Sequence, residues 1–153
     1  MNAILHFNFA TMAEIHKTVL VKKSAEKMFG LVDFCENYPQ FLPWCADAKV
    51  LKRTDEITAA RLFIRYKMVK TDFATENQKK FPESMVIHLI DGPFKKLEGA
   101  WQFLALKENA CKIDFRLSYE FSNRLMEKVI GSVFHHITST FVDAFVKEAR
   151  KNG

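Results

Sequence analysis

Glycine and cysteine are both scarce in this chain of 153 residues, and each shortage removes a class of chemistry. Five glycines leave no Gly-rich loop of dinucleotide or P-loop spacing, so no backbone cradle for phosphates is present. The three cysteines, Cys35, Cys45 and Cys111, are odd in number and lack C-x-x-C spacing. That argues against a disulfide framework and against a zinc knuckle, and makes a reducing cytosol the simplest home. No uninterrupted apolar run approaches the length of a membrane span. The opening MNAILHFNFAT carries no Lys or Arg and is broken by His6 and Asn8, a poor signal or transit peptide. Residues 1–11 are expected to be a loosely ordered extension, because Met12 opens the first convincing element. No G-x-S-x-G elbow occurs. His135 and His136 are adjacent on a helix and point about 100° apart, so they cannot share one metal. His16 and His88 fall in strands with no evident acidic partner. No catalytic residue, metal site or required cofactor is therefore expected, although residues distant in sequence can still meet in space.

Aromatic and aliphatic side chains are abundant. The chain is 48% apolar and carries 15 Phe, enough for one sizeable core. Net charge is +5, and it is concentrated. Residues 49–80 hold nine Lys/Arg against four acids, an excess equal to that of the whole chain. Such a stretch is either the ordinary solvated face of a sheet, where lysines also discourage aggregation, or an electrostatic footprint for phospholipid headgroups or RNA. The interspersed Phe63, Tyr66 and Phe73 do not form a base-stacking pattern, so any RNA contact is with phosphates. No DNA partner is expected.

Periodicity orders the chain. Residues 15–21 read as a strand. Ser24 is an N-cap, and Met28, Leu31, Val32 and Cys35 at i, i+3, i+4, i+7 make a helix with one buried face. Period two follows over 48–53, 57–67, 69–79, 84–90, 97–106 and 111–121. The last alternates cleanly, with Cys111, Ile113, Phe115, Leu117, Tyr119 and Phe121 inward. From Ser122 or Asn123 the period returns to 3.6, and Met126, Val129, Ile130, Val133, Phe134, Ile137, Phe141 and Phe145 form one stripe. Strands joined by short turns pair antiparallel. Their apolar face needs a cover, and only the long C-terminal helix is large enough. The expected class is α+β: a strongly curved antiparallel sheet of about seven strands wrapped around one long helix, as a single domain over 12–150, with room for an internal apolar cavity.

Three features occur in a known order: YPQFLPWC at 38–45, DGPFKKLEGAWQF at 91–103, and the terminal amphipathic helix. In this the chain resembles the START-like coenzyme Q-binding family, of polyketide cyclase-like architecture, which also includes bacterial ribosome association toxins. The resemblance spans residues 12–150 and implies the helix-grip fold. It implies two functions. One is binding ubiquinone, or a similar isoprenoid lipid, in support of respiratory electron transport, with peripheral contact at the inner face of the membrane of a cytoplasmic protein. The other is binding the large ribosomal subunit and blocking subunit joining, for which residues 49–80 are the candidate surface.

The candidate ligand-binding residues are Tyr38, Phe41, Leu42, Trp44, Phe94, Lys95, Trp101, Phe115, Tyr119, Ile130 and Phe134. YPQFLPWC is too apolar for a plain loop and is stiffened by Pro39 and Pro43. It is either a plug for one end of the core or a lid at the cavity mouth; the lid reading places Leu42 and Trp44 partly exposed at the rim. In the second motif Phe94 is expected to dip inward while Lys95 either addresses a polar headgroup or is simply solvated. Gly99, between Leu97 and Trp101, marks a close approach by the helix or a ligand.

Overall fold

The structure, a computed structural model, describes residues 12–151. The expected N-terminal extension lies outside the described residues. The elements are β1 (Met12–Val21), α1 (Ala25–Asp33), a 3₁₀ turn (Cys35–Gln40), β2 (Cys45–Arg53), β3 (Ile57–Tyr66), β4 (Val69–Lys80), β5 (Ser84–Asp91), β6 (Phe94–Lys107), β7 (Ala110–Phe121) and α2 (Arg124–Lys151). The strands form one curved antiparallel sheet in the order β1-β7-β6-β5-β4-β3-β2. Hairpins generate that order from β2 to β7, and β1 then pairs with β7 along its whole length.

Each element follows from its residues. Ser24 caps α1, its hydroxyl accepting from Lys27 N at 3.1 Å. Asn123 rather than Ser122 caps α2, its Oδ1 accepting from Met126 N at 2.9 Å. In β3, Thr58, Ala60, Leu62 and Ile64 are buried on one face, as their alternation requires. At the edge, β2 shifts register against β3 between Cys45 and Asp47 and again between Val50 and Lys52. The 28-residue α2 spans about 42 Å and lays Ile130, Val133, Phe134, Ile137, Val142 and Phe145 into the concave face. Val129, expected in that stripe, is instead 54% exposed. By length and composition alone α2 is long and apolar enough to cross a membrane. Here its apolar stripe packs against the sheet.

Two expectations need correction. Gly99 does make room for a close neighbour, but that neighbour is strand β7. A Cβ at Gly99 would lie 2.5 Å from Arg116 O and 2.9 Å from Leu117 Cδ1. The lid is also overturned in its exposure. Leu42 is 1% exposed and Trp44 4%, so both are core residues. The segment is stitched down. Leu42 N donates to Tyr38 O at 2.8 Å, Cys45 N to Leu42 O at 3.0 Å, and Arg65 N to Trp44 O at 3.0 Å. The Tyr38 hydroxyl donates to Val32 O. The Arg53 guanidinium grips both oxygens of Glu36, at 2.9 and 2.8 Å, and lies over the Phe34 ring. Prolines stiffen the segment, but tertiary contacts decide that its apolar groups point in.

Leu42→Asp, alone or with Trp44→Asp, is therefore expected to lower stability by several kcal/mol, since an unpaired carboxylate cannot be accommodated in a core. Thermal denaturation checks this; a melting temperature close to that of the unsubstituted protein would restore the lid reading.

Candidate functional site: a cavity between the sheet and the long helix

A cavity of about 80 Å³ lies between the concave sheet face and α2. It holds roughly five to eight water-sized groups. One substituted ring fits; a long isoprenoid tail does not without some parting of helix and sheet.

Its walls differ in character. On the side of β6, β7 and α2 it is aromatic. The Trp101 and Phe115 rings are 4.5 Å apart, and Phe141 meets both at 5.8 and 5.7 Å. Trp44 approaches Phe141 at 6.1 Å, and Tyr38 does so edge-on at 6.4 Å. These tilted and edge contacts are favoured by ring quadrupoles.

The side of β3 and β4 adds polar groups among Ala60, Leu62 and Phe73. Thr58, Thr75 and Asn77 face the cavity, with Asp33 from the end of α1. Asp33 Oδ1 accepts from the Thr58 hydroxyl at 2.7 Å, and Oδ2 from Lys79 Nζ at 3.1 Å. The side chains of this pair are only 12% and 5% exposed. Asn77 Nδ2 meets Met85 Sδ at 3.8 Å, whereas Asn77 Oδ1 is buried without a hydrogen-bond partner.

The titratable groups on the wall are held in neutral or paired form. Burial, reinforced by Glu36 and only partly offset by Arg53, pushes the Cys35 thiol up to about 11. Burial likewise raises the Tyr38 phenol well above its ordinary value. At neutral pH neither supplies a nucleophile. Among the described residues no group of His, Cys, Asp and Glu could hold a metal ion.

Five of the expected site residues, Tyr38, Trp44, Trp101, Phe115 and Phe134, line this cavity. Phe94 and Tyr119 lie behind Phe134, at 4.9 and 4.8 Å, in a ring cluster completed by Phe121 and Phe73. Ile130 is buried but off the cavity wall. Phe41 and Leu42 instead border an outer groove of about 340 Å³ with Tyr66, His136 and Lys147. Lys95 is exposed beside Glu120 at 3.8 Å. Sequence reasoning missed the polar wall. Its signal was strand parity: Phe73, Thr75, Asn77 and Lys79 share one face of β4. His16 also has the acidic partner that sequence did not reveal, Asp114 Oδ1 at 2.7 Å across the β1–β7 pair.

Residues 21–146 match the family described as polyketide cyclase / dehydrase and lipid transport. The chain belongs to this family. It is 39% identical over 140 residues to the Ribosome association toxin RatA of Escherichia coli (strain K12), covering 92% of this chain and 89% of that protein. It is 30% identical over 130 residues to the mitochondrial Coenzyme Q-binding protein COQ10 homolog B of Xenopus laevis, covering 82% of this chain and 53% of that protein. Among solved structures, the Zhui aromatase/cyclase from Streptomyces sp. R1128 superposes with a TM-score of 0.79 at 12% identity, over 92% of this chain and 94% of that one. The last likeness shows the fold alone. The START-like family expected from the motifs is thus shown.

The buried pair gives a stability prediction. Asp33→Ala strands the Lys79 ammonium in the core and should cost about 3–5 kcal/mol in urea unfolding. Asp33→Leu combined with Lys79→Met should recover most of that loss, because desolvation of both charges disappears with them. A loss below 1 kcal/mol for Asp33→Ala would show that the pair is solvated.

Proposed function

We propose that this protein is a binding protein rather than an enzyme, and that its cavity takes the ring of an isoprenoid quinone of the ubiquinone class. The observation that carries the reading is the aromatic wall of Trp44, Trp101, Phe115 and Phe141 around a space of one ring's size. A flat conjugated headgroup stacks on such a wall. The COQ10-named relative supports the same ligand. The high Cys35 and Tyr38 pKa values support binding over catalysis. The tail adds affinity wherever it finds cover, since each buried CH₂ is worth ~0.8 kcal/mol and one isoprene unit up to roughly 4 kcal/mol before entropic costs. Exchange with a bilayer requires peripheral contact of a cytoplasmic protein with the membrane.

The chain's only tryptophans, Trp44 and Trp101, both line the cavity and report on it directly. A short-tailed ubiquinone analogue should quench their fluorescence with saturable, micromolar binding, and Phe115→Trp should block it by filling the space. Absence of saturable quenching, together with absence of quinone in an organic extract of the purified protein, would refute the quinone reading.

A second reading, association with the large ribosomal subunit, is favoured by the RatA-named relatives and by the unpaired cations of β2–β4. Arg53, Arg61 and Lys79 are committed to carboxylates. Among the described residues Lys49, Lys52, Arg65, Lys67, Lys70 and Lys80 form no carboxylate ion pair. Lys67 and Lys70 flank Met68, 95% exposed at the β3–β4 turn, and Arg65 pairs in register with Lys70. This tip lies outside the cavity, so the two activities are compatible in one molecule. Counterion release makes phosphate contacts salt-sensitive, with a log–log slope near −0.9 per contact on duplex and about −0.7 on single strands. The protein should co-sediment with large subunits at low salt and dissociate as salt rises, and Lys67→Glu with Lys70→Glu should abolish co-sedimentation. Failure to co-sediment at low salt would sink this second reading.

A further inference from the structure

The polar wall carries a question that the aromatic wall does not. Among the described residues one buried side-chain polar atom on it lacks a hydrogen-bond partner. Both carboxylate oxygens of Asp33 are taken, one by Thr58 and one by Lys79. The Thr138 hydroxyl donates to His135 O at 3.2 Å. Asn77 Oδ1 is the exception: a buried acceptor with no partner among the described residues, on the wall of a cavity that excludes the rest of the protein. A buried acceptor left unmade is unfavourable, and native structures rarely keep one without a reason. Only a hydrogen-bond donor can satisfy it.

Strand pairing fixes the Asn77 backbone, and the contact of Nδ2 with Met85 Sδ at 3.8 Å orients the amide. Asn77 pairs in register with Thr58 on one side and Ile87 on the other, and Ile87 pairs with Gly99, which pairs with Leu117. The row Thr58–Asn77–Ile87–Gly99–Leu117 therefore crosses the sheet beneath the cavity. Gly99 has no side chain, and Leu117 leans across it within 2.9 Å of where a Cβ would sit. Leu117 thus covers the β6 side of the row, while the amide of Asn77 remains at its β4 side. Along the strands, the neighbouring row holds Met85, Trp101 and Phe115. Asn77 thus lies one row along and two strands across from Trp101, and both line the same cavity.

The two oxidation states of a quinone differ in what the ring edge offers. A benzoquinone ring presents carbonyl and methoxy oxygens, which accept hydrogen bonds and cannot donate them. The hydroquinone presents two O–H groups, each a donor. We infer that the cavity discriminates the redox state of its ligand, holding the reduced quinol by an O–H···O bond to Asn77 Oδ1 and holding the oxidised quinone less tightly. The inference rests on the quinone reading above and adds to it a direction: the protein protects or delivers the reduced form. A carbonyl oxygen facing Asn77 Oδ1 places two acceptors against each other in a dry site, which disfavours the oxidised ring.

The experiment is a calorimetric titration, under argon, of the protein with a short-tailed ubiquinol analogue and with the matching ubiquinone. The quinol is expected to bind about ten-fold more tightly, the ratio that one additional satisfied hydrogen bond supplies. In Asn77→Leu the preference should fall to within about two-fold through loss of quinol affinity alone, with quinone affinity kept. That variant should melt no lower than the unsubstituted protein, because it removes an unsatisfied buried acceptor. Asn77→Val, a smaller apolar change, gives the same comparison if the leucine variant is insoluble. Equal affinities, a preference for the quinone, or a preference that survives Asn77→Leu would each overturn the inference while leaving quinone binding intact. Binding of neither compound would remove the quinone reading itself, and the redox preference with it.

Discussion

The fold depends on one act of burial. A seven-stranded sheet with an apolar concave face cannot stand alone in water, and α2 supplies most of its cover. Phe134 and Phe145 of α2 are 2% and 0% exposed, and each meets rings from more than one strand or turn. Curvature follows, since the sheet must bend to keep both its middle strands and its flanks in contact with a cylinder. The cavity follows as well. Between α2 and the strands β6 and β7, large rings in edge-to-face and tilted contact do not fill the space that interdigitating aliphatic side chains would.

The second organising contact sits at the far side of α1. Asp33 ends that helix, and its carboxylate ties together Thr58 of β3 and Lys79 of β4. Three elements from distant parts of the chain are thereby fixed around two buried charges. Such a pair adds little net stability, yet it penalises any arrangement that separates its members. Its effect on the cavity is positional: the β3–β4 wall cannot slide relative to α1 without stranding a charge. Arg53 acts in parallel at the surface, holding the 3₁₀ turn to the end of β2 through Glu36.

How much of this was legible depended on whether a residue's neighbours lay nearby in sequence. The strand β7 could be read directly, because residues 111–121 alternate without interruption and each face has a distinct character. The aromatic members Trp101 and Phe115 were legible for the same reason. The polar wall was not. Lys79 sits in a Lys-rich stretch and reads as surface charge, and its partner Asp33 lies 46 residues away. Parity from Phe73 could have flagged it, because a cation on the inward face of a strand must find an anion. Leu42 and Trp44 were misjudged in exposure for a different reason. Proline fixes a local backbone angle, but nothing local says which way a loop's side chains face. That was decided by Tyr38, whose hydroxyl reaches back to Val32 O and whose ring packs on Phe145 at 5.2 Å.

The two register shifts in β2 bear on the company the molecule keeps. An open sheet ends in a row of unpaired backbone groups, ready to accept a strand from another chain. On the β2 side that row is interrupted twice within nine residues. Lys49 and Lys52, which form no carboxylate ion pair among the described residues, add like charges along the same strand. An incoming copy would meet a broken hydrogen-bond ladder and a charge resembling its own. The irregular edge thus terminates the sheet and makes its last strand a poor template for edge-to-edge growth.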